Sequence, residues 1–92
     1  MDIFAQMAEN IIKEQEGIIG PIALEQAKKV DGLSIDWSKH EISFSGDKTE
    51  ILEKLVEKYK ELFGQASIEV CKDAVRSMLE KLPKEQVPAL LL

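Results

Sequence analysis

The chain has 92 residues, 45% hydrophobic and 32% charged, with a formal net charge of −5, one histidine and one cysteine. That length makes one domain, and the apolar fraction with interspersed charge of both signs excludes a disordered chain. The acidic balance without a basic stripe excludes the usual nucleic-acid binder and disfavours anionic membrane surfaces, and the lone Cys71 excludes an intramolecular disulfide.

Taken in order, residues 2–16 predict an amphipathic helix. Asp2 caps it, Ile3, Phe4, Met7, Ala8, Ile11 and Ile12 form one stripe, and Gly17 is the expected stop. Ile18 and Ile19 form a link, and Gly20-Pro21 opens a second helix with Pro21 at its first position. Ile22, Ala23, Leu24, Ala27 and Val30 are its inward residues, and Gly32 ends it.

Residues 31–47 break the helical pattern. Leu33, Ile35 and Trp37 alternate with Ser34 and Asp36, and Ile42 and Phe44 alternate with Glu41, Ser43 and Ser45. Period 2 on both sides of a polar turn predicts a half-buried antiparallel hairpin. The turn, Trp37-Ser38-Lys39-His40, lacks Asn-Gly, so a loop of about four residues is expected.

Asp47, with Glu50 three residues on, predicts a capped third helix that buries Ile51, Leu52, Leu55, Val56, Tyr59, Leu62 and Phe63 and stops at Gly64. A fourth helix is expected from an N-cap at Ser67 to Leu82, closed by Pro83, with a short turn at residues 84–87. The fold class is therefore α+β: a single domain over residues 1–92, in the order α-α-β-β-α-α, with one hairpin packed on helices. An apolar tail at 88–92 is expected to be flexible.

The sequence carries no catalytic constellation. One His and one Cys, 31 positions apart, give no zinc-ligand spacing, and no EF-hand, phosphate loop or nucleophile elbow is present. Cys71 continues an apolar stripe, which makes it a small core residue. No catalytic, metal or cofactor site is expected. No run reaches the ~20 apolar residues of a membrane span. Met-Asp-Ile-Phe lacks the basic start of a signal peptide, so a cytoplasmic protein is expected.

The functional expectation is a non-catalytic protein-interaction or regulatory module that self-associates through the hairpin, because a two-stranded sheet has two open edges. Trp37, His40, Ser43, Ser45, Leu90 and Leu91 are the candidate interaction residues. The alternative is a small apolar-ligand-binding domain lined by Ile18, Ile19, Ile22, Phe63 and Met78, with an enzyme third.

Overall fold

A computed structural model describes residues 2–92. Asp2 accepts the Ala5 N–H at 2.8 Å and starts α1, Ile3–Ile19. This helix runs through Gly17, which was the expected stop. A glycine inside a helix costs only about 1 kcal/mol, and Ile18 and Ile19 continue the turn. The stop is Gly20, at φ 76°, whose N–H donates to the Glu16 carbonyl at 2.9 Å. Only at a positive φ does the chain leave the helix there, and glycine adopts it without penalty.

The second helix, α2, is six residues, Ile22–Ala27, shorter than the apolar pattern predicted. Tight turns follow, and Val30 is still delivered to the core. Strands β1 (Leu33–Asp36) and β2 (Glu41–Phe44) pair antiparallel, Leu33 opposite Phe44 and Asp36 opposite Glu41. The four-residue connection is a 3-10 turn at Trp37–Lys39 closed by His40 at φ 54°. Asp36 fixes that turn by accepting from the Ser38 hydroxyl at 2.8 Å and the Lys39 N–H at 3.3 Å.

Asp47 accepts the Glu50 N–H at 3.0 Å and begins α3, Lys48–Phe63. After Gly64, α4 spans Gln65–Val75. Ser67, expected as its N-cap, lies buried within the helix. The helix also ends seven residues before Leu82, at Val75, and 3-10 turns at Leu79–Lys81 and Lys84–Gln86 take over. Apolar residues three apart suit a 3-10 turn as well as an α-helix, so Met78, Leu79 and Leu82 still pack on the core.

The order α-α-β-β-α-α and the α+β class are those read from the sequence. Helix α1 is the hub, packing on α2, α3, α4 and β2. Leu33 and Ile42 close the inner face of the hairpin, and Phe44 meets Phe4 edge to face at 6.5 Å between ring centroids. Among the described residues, three polar bonds cross the interior: Tyr59 Oη donates to the Ala23 carbonyl at 2.7 Å, and Gln15 Nε2 donates to the Ser67 carbonyl at 3.0 Å and to Cys71 Sγ at 3.4 Å.

The segment 88–92, expected to be flexible, is instead a packed strap ending in a 3-10 turn at Ala89–Leu91. Pro88 is fully buried and Leu91 is 2% exposed. The turn's free amides find an acceptor: Glu53 takes the Ala89 and Leu90 N–H groups at 3.3 and 2.8 Å. The Thr49 hydroxyl donates to the Gln86 carbonyl at 2.7 Å. Burial of an apolar end offsets its ordering entropy when its backbone groups are satisfied.

The α1–α2 and α3–α4 junctions are built alike. Each follows a long Asp-capped helix, and each turns on a glycine: Gly20 at φ 76°, ψ −158° and Gly64 at φ 83°, ψ −169°. Each glycine N–H donates to the carbonyl four residues back, and two apolar residues precede each, Ile18-Ile19 and Leu62-Phe63. The two junctions lie side by side. Gln15, one turn before the first, bonds Ser67, just past the second; Tyr59, one turn before the second, bonds Ala23, just past the first.

Candidate functional site

The hairpin register decides which backbone groups remain open. Ser45 N–H donates to the Gly32 carbonyl at 2.7 Å, so residues 32 and 45 stand at a hydrogen-bonded position of the ladder. Bonded and non-bonded pairs alternate along an antiparallel ladder. Ser34 and Ser43 therefore bond each other, as do Asp36 and Glu41, while the N–H and C=O groups of Ile35, Ile42 and Phe44 point outward. Helix α1 lies along β2, which leaves β1 as the outer strand. Its open edge centres on Ile35, because the Leu33 N–H is already given to the Val30 carbonyl.

The twisted outer face of the hairpin forms an open concavity of about 580 Å³ lined by Ser34, Asp36, His40, Glu41 and Ser43 with the two isoleucines between them. Small hydroxyls occupy its middle and carboxylates its turn end. Asp36 and Glu41 face each other, a like-charge pairing that is unfavourable unless one charge is engaged. Asp36 is engaged, by the Ser38 hydroxyl and the Lys39 N–H.

The six residues singled out in the sequence separate. His40 and Ser43 line the concavity, and exposed Ser45 lies just beyond the end of β2. Trp37 is half-buried against the core, its ring 6.1 Å from that of His40. Leu90 is partly buried and Leu91 belongs to the core, so the strap that carries them does not offer Leu91 to a partner. Burial of the tail's apolar side chains is what removes it from the surface. Of the apolar residues expected to line a ligand cavity, Ile18, Ile22 and Phe63 are exposed at the helix junctions, Ile19 is partly buried, and Met78 packs near Asn10.

One neighbour of the hairpin escaped sequence reasoning. Glu9 on α1 reaches the turn, its Oε1 3.0 Å from Lys13 Nζ and its Oε2 3.8 Å from His40 Nδ1. That Oε2 is buried and accepts no hydrogen bond. Glu9 and His40 are 31 positions apart, and nothing in periodicity or spacing joins them.

Cys71 is fully buried, and burial pushes its thiol up to about 11, with the Gln15 amide acting weakly the other way. A protonated, inaccessible thiol is a core group, not a nucleophile. Among the described residues, no cluster of three or more His, Cys, Asp or Glu is placed to hold a metal ion, and no helix is long and apolar enough to cross a membrane. Comparison with protein-family models, with curated proteins and with solved structures finds no match.

Proposed function

We propose that this chain is a non-catalytic, regulatory protein-interaction module of the cytoplasm that self-associates through β1. The observation that supports this reading is the open edge of a two-stranded sheet centred on Ile35. Unpaired N–H and C=O rows recruit another strand. No proline or inward charge blunts this edge. A second copy pairing antiparallel about a two-fold axis sets Ile35 opposite its own counterpart and exchanges two backbone bonds there. A four-stranded sheet, β2-β1-β1-β2, results, with a self-complementary interface. The serines of the outer face let the second copy approach closely. One buried cysteine suits a reducing compartment.

The two-fold register fixes a cross-strand neighbour: position 34 of one copy lies opposite Asp36 of the other. Within one copy, position 34 faces Ser43, so a charge there is tolerated. Light scattering across a concentration series therefore tests the reading through Ser34. Ser34→Lys, set against a carboxylate, is expected to tighten the dimer, and Ser34→Asp to weaken it. A chain that stays monomeric at high concentration, or a dimer indifferent to the sign of that charge, overturns it.

A further inference from the structure

We propose that the paired junctions form a second, independent docking surface whose occupant is a basic amphipathic helix of a protein partner. The described residues include five exposed large hydrophobic side chains, and four of them sit at this one end: Ile18 at 64%, Leu62 at 48%, Ile22 and Phe63 at 38%. Ile18 and Leu62 occupy equivalent positions, each two residues before its glycine. Single exposed apolar residues are ordinary on a protein surface, but their collection at one place marks a contact surface. The glycines beside them stand open to solvent: a Cβ added at Gly17, Gly20 or Gly64 meets nothing within 4 Å.

The charge around this end selects the partner. Within five residues of Gly20 and Gly64 lie Glu16, Glu25, Glu61 and Glu69 against the single Lys60. Glu16 is near enough for its charge to bear on the buried Tyr59 hydroxyl. Among the described residues, Glu16, Glu25 and Glu61 are in no ion pair, although Glu61 borders a surface concavity with Lys54 and Lys58, whereas Glu69 pairs with Lys72 at 3.8 Å. Apolar ground edged with unpaired negative charge complements a helix with one aliphatic face and flanking Lys or Arg. The same edge repels a second copy of this acidic chain and an anionic bilayer.

The probe is a dye-labelled peptide of about 14 residues, roughly four helical turns, built from Leu and Lys with leucines at i, i+3, i+4 spacing. Fluorescence anisotropy is expected to show saturable binding at least roughly tenfold tighter than that of a scrambled peptide of identical composition, which keeps the charge and loses the apolar face. The double substitution Ile18→Ser with Leu62→Ser should abolish that preference. Both side chains are exposed, so the fold is retained, as an unchanged denaturation midpoint would report. Glu16→Gln with Glu61→Gln should weaken binding and flatten its salt dependence without touching the apolar ground. Ser34→Asp, which acts on the hairpin edge, should leave peptide binding unchanged. The proposal is overturned by absence of binding, by equal binding of the scrambled peptide, or by full binding to the Ile18/Leu62 variant. It is equally overturned if that variant instead changes the oligomeric state of the chain, which assigns this end to a second copy.

Discussion

Gln15 and Ser67 are joined across the core by a side-chain amide and a backbone carbonyl 3.0 Å apart, both buried. Gln15 is one of two buried polar side chains among the described residues, the other being Ser67 itself. The bond ties the last turns of α1 to the first turn of α4 and so holds the two glycine junctions together. Gln15→Ala removes the donor and opens a cavity, and is expected to cost about 1–3 kcal/mol. Gln15→Leu keeps the volume and loses only the donor, so it should cost less. Urea denaturation of both variants separates the two contributions; a Gln15→Leu variant as stable as the native chain would mean that the bond contributes nothing beyond packing.

Gly17 and Gly64, both at the junction end, should respond with opposite signs. Gly17 is helical with open space around it, so Gly17→Ala should stabilise by about 0.5–1 kcal/mol. Gly64→Ala, at φ 83°, meets no clash yet forces a left-handed backbone, at a cost of about 1–2 kcal/mol. Thermal unfolding of the two variants side by side gives the sign directly. A destabilising Gly17→Ala would contradict a helix continuous to Ile19.

The strap at 88–92 should prove structural. Leu91→Ala is expected to cost about 2–4 kcal/mol through lost burial and the cavity left behind. Glu53→Ala leaves Leu91 in place but strips the acceptor from two amides. Its signature is faster hydrogen exchange at Ala89 and Leu90, with a smaller loss of global stability. Unchanged protection at both amides would refute the capping role of Glu53.

Alkaline pH should destabilise the fold through its buried thiol. Burial raises Cys71 from 9.0 to about 11. The folded chain holds this proton longer than the unfolded one, so the stabilisation is complete below pH 9 and fades as pH climbs toward 11. Tyr59, raised by burial, then by Cys71 and Glu16, acts in the same direction at higher pH. Cys71→Ala isolates the thiol: its denaturation midpoint should fall less between pH 9 and 11 than that of the native chain. Below pH 9 the native thiol should resist a thiol-specific dye until urea unfolds it.

Local signals in the sequence were enough for element type and order. The period-2 run on either side of residues 37–40 and the Asp47 cap are contained within a few residues, and both are found as read. What stayed illegible depends on neighbours distant in sequence. Leu62 and Phe63 share the spacing of Leu55 and Tyr59, yet no element covers them, and periodicity cannot report a missing neighbour. Gly17 and Gly20 differ in role because Ile18 and Ile19 extend the helix before the chain turns. Ser67 has the composition of a cap but lies opposite Gln15, 52 positions away. The hydroxyls of the hairpin face were legible; that Glu9 reaches the same turn was not.

The two chain ends meet the same stretch of one helix. Asp2 pairs with Lys48 at the start of α3, and Leu90 is held by Glu53 five residues on. Five residues are about 7.5 Å of helix axis. Joining residue 92 to residue 2 through a short flexible linker should therefore close the backbone into a ring without disturbing any element, and new ends opened in the exposed Ser38–Lys39 turn would give a permuted chain with the native fold. Residues 2 and 90 thus meet the start of α3, and the glycine junctions lie at its other end, a helix length of about 24 Å away. Cargo fused at either terminus would project from the first end and leave the second unshadowed.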